Sequence, residues 1–249
     1  MNFQKIIAQA YDLIYQEKDY QQESLFVDKI IKKYDKGAKK LLDAGCGSGN
    51  HSLIFKKMGY QVTGFDLSRS MIEIAQSKIK DIKFFQGDLR DFKVKEKFDV
   101  CVSMFAVIGY LTKNSDILKT FINIRKHLKP GGLFVFDVWN GLGVLTNPPE
   151  KREKIFQNDS LKVLRKAVPD LIAQDHICQV NYDFLITDKI TGQEHEAKEK
   201  HTVRFYFPQE IKLMLEISGF EVIKICKAFD LSKPANQEAW HMSVIAKAR

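Results

Sequence analysis

The sequence predicts an α/β fold: a doubly wound, mostly parallel sheet with an antiparallel sheet inserted late in the chain. Three observations predict it. Short apolar runs alternate with helical patterns from Leu41 to Val138, as in strand–helix–strand units with right-handed crossovers. A glycine-rich turn, Asp43-Ala44-Gly45-Cys46-Gly47-Ser48-Gly49-Asn50, links the first run to the helical pattern that follows it. Backbone there can approach a ligand closely, because no Cβ stands in the way. After Trp139-Asn140-Gly141 the rhythm breaks, and apolar residues recur every second position, the period of a half-buried antiparallel strand.

In chain order, residues 4–16 and 20–34 have the apolar spacing of helices, interrupted at Glu17-Lys18-Asp19. Tyr11, Tyr15 and Tyr20 lie in this stretch and suit either core filling or a lid, since a phenol offers both an apolar face and a hydroxyl. Leu41-Leu42 is a buried strand ending at Asp43. Gln61 to Phe65 is a second, ending at Asp66, and Ser70 to Lys80 is a helix with Met71, Ile72, Ile74, Ala75 and Ile79 on one face. Ile82 to Phe85 is a third strand, ending in Gln86-Gly87-Asp88-Leu89, and Phe98 to Ser103 is a fourth. Ser115 to Leu128 is a helix closed by Lys129-Pro130-Gly131-Gly132, and Leu133 to Val138 is the fifth strand.

In the insertion, Cys178, Val180, Tyr182, Phe184 and Ile186 alternate with mostly polar residues, as do Val203, Phe205 and Phe207. Asp188-Lys189-Ile190-Thr191-Gly192 between the two runs is a turn cluster. Pro208 suits the first turn of a helix and Gly219 its C-terminal cap. Strands at Phe220–Ala228 and Trp240–Ala246 complete the chain. The expected division is a helical lid over residues 1–36, a core over 37–142 and 208–249, and an inserted antiparallel sheet over 143–207.

Composition narrows the classes. With 249 residues the chain can bury a full core. Its longest nearly uncharged apolar stretch, Cys101 to Leu111, is too short to span a bilayer. Residues 1–15 lack the uninterrupted apolar core of a signal peptide. Four scattered cysteines without a CxxC pair read as reduced thiols and no metal site, so a cytoplasmic protein is expected. The formal charge is +8, with dense basic stretches at Lys29–Lys40 and Lys151–Lys166. These suit a solvated surface, or a polyanionic or phosphorylated partner.

Acids recur at the carboxyl ends of the first three strands: Asp43, Asp66 and Asp88. That edge is where open α/β sheets bind ligands. Asp66 lies twenty-one residues beyond Gly45, where an acid can accept hydrogen bonds from ribose hydroxyls. Asp88 suits an adenine amino group. Singly, each acid is an ordinary strand-end residue; together, in register with the glycine turn, they mark a ligand edge. The pattern suits a dinucleotide enzyme or a methyltransferase.

Asp43-x-Gly45-x-Gly47-x-Gly49, Asp66, Gly87-Asp88-Leu89, Phe98-Asp99 and Lys129-Pro130-Gly131-Gly132 resemble, in order and spacing, the Rossmann-like class I S-adenosylmethionine methyltransferases. That resemblance covers residues 37–138 and implies S-adenosyl-L-methionine as cofactor. It implies that the glycine turn receives the methionine end and Asp66, with Leu67 beside it, the ribose. Asp88 and Leu89 would flank the adenine, with Met71 near it and Met104 lining the pocket. Taken alone, the two methionines are equally good core fillers. A closer resemblance spans almost the whole chain. Tyr11-Asp12-Leu13, Lys18-Asp19-Tyr20, Gln86-Gly87-Asp88-Leu89-Arg90-Asp91-Phe92 and Val102-Ser103-Met104-Phe105-x-x-x-Gly109-Tyr110-Leu111 resemble the nucleotide-linked amino-sugar N,N-dimethyltransferases. It implies that Tyr11 and Tyr20 close over the cofactor, that Tyr110 faces the acceptor amine, and that the inserted sheet serves a homodimer. The chain departs from that family in two places. Asp137-Val138-Trp139-Asn140 replaces a Glu-Pro-Trp-Trp-like run, and Trp240-His241 stands near where a substrate-holding arginine belongs.

The expected function is methyl transfer to a small molecule, an amine of a nucleotide-linked sugar. Tyr110 and His241 are the candidates for handling the acceptor, and Tyr15 and Trp139 would line its pocket. No nucleic-acid or membrane partner is expected. RNA or protein methylation rests on charge alone, and a non-catalytic cofactor-binding regulator is a third reading. Asn147-Pro148-Pro149-Glu150 resembles the tetrad of nucleic-acid amino-methyltransferases, but it follows the fifth strand instead of the fourth and reads as a loop breaker.

Overall fold

Successive strand residues point to opposite faces of a sheet, and the central strands sort their apolar residues accordingly. Leu41, Val100, Val102 and Val135 belong to one buried cluster, while Leu42, Cys101, Phe134 and Phe136 belong to another. A computed structural model describes residues 10, 11 and 13–249. The first part of the helix expected over 4–16, and Asp12 of the Tyr11-Asp12-Leu13 run, lie outside the described residues.

The strands in chain order are β1 (Lys40–Ala44), β2 (Gln61–Asp66), β3 (Lys83–Gln86), β4 (Phe98–Ser103), β5 (Leu128–Trp139), β6 (Arg152–Gln157), β7 (Leu161–Ile172), β8 (Ile177–Asp188), β9 (Glu194–Arg204), β10 (Phe220–Lys227) and β11 (His241–Ala248). The helices are α1 (Tyr20–Tyr34), α2 (Asn50–Lys57), α3 (Arg69–Lys78), α4 (Asn114–His127), α5 (Gly141–Thr146) and α6 (Pro208–Ile217).

Seven strands form one sheet in the order β10-β11-β5-β4-β1-β2-β3. The pairs β1–β2, β2–β3, β1–β4 and β4–β5 are parallel. β11 runs antiparallel to both of its neighbours, β5 and β10. One face carries α1, α2 and α3 through Phe26, Ile30, Phe55, Ile72 and Ala75. The other carries α4 and α6 through Ile117, Phe121, Ile124, Ile211 and Leu215. A mostly parallel doubly wound sheet was the sequence expectation, and it is what the chain forms. The remaining strands make a second sheet in the order β6-β7-β8-β9.

The chain divides into two compact units. One comprises Met1–Asp19 with Pro148–Val203, the other Tyr20–Asn147 with Arg204–Arg249. These boundaries differ from the expected ones. The stretch expected as one lid over residues 1–36 is split: Ala10, Leu13 and Ile14 cluster with Phe156, Leu161, Val163 and Ile186 of the four-stranded sheet, whereas α1 belongs to the parallel unit. Residues 204–207 also belong to the parallel unit. Tyr206 forms a parallel bridge to Asn140 just beyond β5.

Candidate active site

The glycine turn is a backbone device. Gly45 and Cys46 both donate N–H to the carbonyl of Phe65, at 2.8 and 2.9 Å, which folds the end of β1 over the end of β2. Gly45 has φ +79°, and a Cβ there would lie 2.5 Å from Cγ1 of Val107, so no larger residue fits. Gly47 has φ +52° with nothing within 4 Å of a Cβ position. Its glycine serves backbone conformation and leaves that side of the turn open. Gly49, also at positive φ, caps α2.

Asp66 binds this turn to the next one. Its Oδ2 accepts from Gly47 N at 2.9 Å and its Oδ1 from Ser68 N at 2.8 Å. An ionised carboxylate offers about four acceptor positions, so capacity for ligand hydroxyls remains. Asp43 is only 2% exposed and accepts from Ser52 Oγ at 2.5 Å. Burial pushes its carboxyl above the usual range, opposed by neighbouring His51 and by the serine bond. His51 itself is buried, its Nε2 2.8 Å from Glu23 Oε2 and its ring edge-on to Tyr20 at 4.9 Å. These contacts fasten the start of α1 to the glycine turn.

Beyond β3, Asp88 is held by Arg90. The backbone N and Nε donate to Oδ1, both at 2.9 Å, and Nη2 donates to Oδ2 at 2.5 Å. The arginine bonds hold this carboxyl below the usual carboxylate range. Arg90 Nη1 continues to Asp116 Oδ2 at 3.3 Å. Leu67 is exposed, Met71 is half-buried on α3, and Leu89 packs against the core. Met104 is 3% exposed and joins the cluster of Val102 and Val135.

The segment after β4 is strained and braced. Phe105 and Ala106 both have positive φ, 70° and 56°, a costly conformation for side-chain-bearing residues. Buried Asp137, on β5, accepts from both backbone N–H groups, at 2.6 Å from Phe105 and 3.0 Å from Ala106. A short 3₁₀ turn, Val107–Tyr110, follows, and the Tyr110 side chain stands 52% exposed. Tyr206 is fully buried, and its hydroxyl donates to the carbonyls of Ile108 (3.3 Å) and Leu111 (3.2 Å). Burial pushes its phenol up, which keeps it a donor. Arg204 Nη1 donates to Thr112 O at 3.1 Å and Asn114 Oδ1 at 2.6 Å, while Nη2 pairs with Glu210.

At the ends of β5 and β11, His241 is paired in register with Trp139. The Trp139 and Trp240 rings are 4.6 Å apart, and His241 lies 5.1 Å from Trp240. Buried Asn140 donates from Nδ2 to the carbonyls of Asn236 (2.8 Å) and Ala239 (2.7 Å), fixing the loop before β11. Trp240 Nε1 donates to Asn147 O at 2.9 Å.

Of the residues singled out from sequence, Tyr20, Asp43, Gly45, Gly47, Gly49, Asp66, Leu67, Met71, Asp88, Leu89, Met104, Tyr110, Trp139 and His241 all belong to the parallel unit. Tyr11 and Tyr15 belong to the other, their rings 4.7 Å apart. Asp137, Asn140, Arg204 and Tyr206 were not singled out. For Asp137 the signal was present: it is a fourth acid near the carboxyl end of a parallel strand. Among the described residues no His, Cys, Asp and Glu group could hold a metal, and no helix is long and apolar enough to cross a membrane.

This arrangement has relatives. Residues 41–132 match the methyltransferase domain model. A dTDP-3-amino-3,4,6-trideoxy-alpha-D-glucopyranose N,N-dimethyltransferase of Streptomyces venezuelae is 35% identical over 217 residues, 86% of this chain and 90% of that one. An S-adenosylmethionine-dependent methyltransferase from Clostridium acetobutylicum superposes with a TM-score of 0.83 at 20% identity, covering 97% of both chains. An amino pentose methyltransferase from Micromonospora echinaspora, solved with S-adenosylmethionine bound, superposes with a TM-score of 0.77 at 19% identity, over 98% of this chain and 97% of that one. The shared fold, and sequence identity over nearly the full length of both chains, make this protein an S-adenosylmethionine-dependent class I methyltransferase, belonging to the family that includes the dTDP-amino-sugar N,N-dimethyltransferases.

Proposed function

We propose that this enzyme N-methylates the amine of a nucleotide-linked amino sugar. The observation that carries the reading is the braced turn after β4. Asp137 and Tyr206 together bind backbone groups of four residues, Phe105, Ala106, Ile108 and Leu111, and the Tyr110 side chain of this same turn is 52% exposed just beyond the carboxyl end of β4. The relatives' substrates supply the class of acceptor.

The glycine turn fits the cofactor. Gly47 leaves open space where a side chain would stand, and Asp66 retains acceptor capacity for ribose hydroxyls. Asp88, kept anionic by Arg90, suits the adenine amino group, flanked by Leu67, Met71 and Leu89. Tyr20, braced by His51, stands over the turn's helix. When bound, S-adenosylmethionine supplies a methyl group on a sulfonium, the electrophile of an in-line displacement. The chain's task is then to orient the acceptor and exclude water, and orientation supplies roughly 7–11 kcal/mol of barrier reduction in favourable cases. The acceptor amine must arrive unprotonated, so Tyr110 needs only to hold it by a hydrogen bond and pass its released proton outward. Trp139 and His241 offer an apolar wall and a polar partner, the usual build of a small-molecule site. The test is a radiolabelled-methyl assay against amino-sugar nucleotides, free amines, tRNA and total protein. Transfer to tRNA or protein alone would overturn the reading. Tyr110→Phe should lower turnover about tenfold or more while leaving S-adenosylhomocysteine affinity unchanged, because it removes a contact to the acceptor only. Equal loss of cofactor affinity would remove Tyr110 from that role.

A homodimer in the cytoplasm is part of the same proposal. The four cysteines are unpaired and buried, which suits a reducing compartment. Ile155, Leu164 and Leu185 stand opposite one another across β6, β7 and β8, and Ile155 is 53% exposed. An apolar row on an outer strand suits burial against a second copy. Light scattering should give twice the 28.7 kDa chain mass, and Ile155→Lys should shift it toward monomer. A wild-type monomer at micromolar concentration would count against it.

A further inference from the structure

We infer that Tyr206, with Arg204 beside it, is a positioning residue for methyl transfer: it fixes the turn that carries Tyr110 against the Trp139–His241 end of the sheet. The inference rests on the reading that Tyr110 faces the acceptor.

Three segments meet at one edge of the seven-stranded sheet. β4 and β5 are parallel neighbours, with Ser103 opposite Phe136, so the Tyr110 turn and the residues from Trp139 onward both follow their carboxyl ends. β11 begins at the same edge, with His241 opposite Trp139. These segments and Tyr206 belong to one compact unit.

Tyr206 is bonded to both sides of that edge. Its backbone N–H donates to the Trp139 carbonyl at 3.0 Å, and its own carbonyl accepts from Gly141 N at 2.9 Å. Its side chain reaches the other side, where the hydroxyl lies 3.3 Å from Ile108 O and 3.2 Å from Leu111 O. A phenol has one proton, so the two carbonyls share it in a three-centre bond. Tyr110 lies within the span so held. Arg204 extends the grip along the chain. Its guanidinium is 5.1 Å from the Tyr206 ring centre, and its Nη1 donates to Thr112 O at 3.1 Å and Asn114 Oδ1 at 2.6 Å.

Packing alone asks for no hydroxyl here. The flanking residues are Phe205 and Phe207, and Tyr206 is fully buried in the cluster of Leu111, Phe136, Val138 and Ile211. A phenylalanine would fill nearly the same volume without burying a polar group. Apolar contact is non-directional, whereas a hydrogen bond fixes distance and angle. Asp137 holds only the start of the turn, at Phe105 and Ala106. The Tyr206 hydroxyl holds its far end, and does so from a residue whose backbone is tied to Trp139. One side chain therefore sets the distance between the two sides of the edge.

The test is steady-state kinetics on the full chain, with S-adenosylhomocysteine calorimetry and a thermal melt beside it. The acceptor is whichever of the amino-sugar nucleotides, free amines, tRNA and total protein takes the radiolabelled methyl best, so the identity of the acceptor is not presupposed. Tyr206→Phe should lower kcat/KM for that acceptor about ten- to a hundredfold, the scale of a misplaced reacting group, with S-adenosylhomocysteine affinity unchanged. Tyr206→Phe combined with Tyr110→Phe should lose little more than Tyr110→Phe alone, because residues that act through one another are not additive. Tyr60→Phe also removes a buried phenol hydroxyl, one bonded to Asp28 at 2.8 Å. It should lower the melting temperature and leave the acceptor kinetics unchanged. Should Tyr206→Phe fail to fold, Asn114→Ala decides. It removes an acceptor of Arg204 at the start of α4 and should lower kcat/KM in the same direction by a smaller factor. Unchanged acceptor kinetics in the folded Tyr206→Phe, or in Asn114→Ala where that variant decides, would overturn the inference. So would losses that multiply in the double variant, or an equal fall of S-adenosylhomocysteine affinity in Tyr206→Phe. A full-rate Tyr110→Phe would instead overturn the reading of Tyr110, and the inference with it.

Discussion

Asp66→Ala should weaken S-adenosylhomocysteine binding by about 1.5–3 kcal/mol, roughly ten- to a hundredfold, the usual loss for charged hydrogen bonds. Two effects act in the same direction. The variant removes the anion suited to the ribose hydroxyls. It also releases Gly47 N and Ser68 N, which the two carboxylate oxygens bind at 2.9 and 2.8 Å, so the turn loses its brace. Asp66→Asn separates them. The amide keeps one oxygen acceptor and turns an NH₂ toward the other backbone N–H, so it should retain part of the turn and still lose affinity. Titration calorimetry with both variants, beside a thermal melt, is the measurement. Wild-type affinity in Asp66→Ala would remove Asp66 from the cofactor site.

Asp66 was legible in the sequence because its signal is local: an apolar strand, an acid at its end, and a fixed distance from a glycine turn. The same holds for Asp43, Asp88 and the three glycines. Their partners were not legible. Asp88 precedes Arg90 by two residues, yet nothing in the spacing says that the arginine takes both carboxylate oxygens. Tyr206 reaches Ile108 and Leu111 across almost a hundred residues, a contact that only the closed sheet creates. The inserted sheet was half legible. β8 alternates cleanly, whereas β9, Glu194–Arg204, carries charged and polar residues at nearly every position, as outer strands do when they must resist further pairing. In β7 the period is broken by Arg165, a cation on the apolar side. The division of the N-terminal stretch was less legible for another reason: its two apolar stripes look alike, and sequence does not say which sheet each one covers.

Asp137→Ala should reduce turnover about a hundredfold, the scale expected when a reacting group is misplaced by about an ångström, while S-adenosylhomocysteine affinity stays near wild type. The carboxylate is 3% exposed and accepts from the backbone N–H groups of Phe105 and Ala106. Both residues sit at positive φ, and such a pair persists only where its surroundings hold it. Without the carboxylate, the buried Ala106 N–H and the part-buried Phe105 N–H lose their acceptor, at about 1–3 kcal/mol for the buried one, and the segment can relax toward ordinary backbone angles. Tyr110 lies four residues beyond Ala106, so its hydroxyl moves with the segment. Gly45 contacts the same turn through Val107, but the bonds that shape the glycine turn come from Phe65 and Asp66 and remain in place. Asp137→Asn keeps one acceptor and should fall between wild type and alanine in turnover. Steady-state kinetics on the acceptor, calorimetry with S-adenosylhomocysteine and a thermal melt distinguish the cases. Unchanged turnover in Asp137→Ala would show that the brace is not needed for transfer. A parallel collapse of cofactor affinity would show that Asp137 supports the fold as a whole and not the acceptor turn.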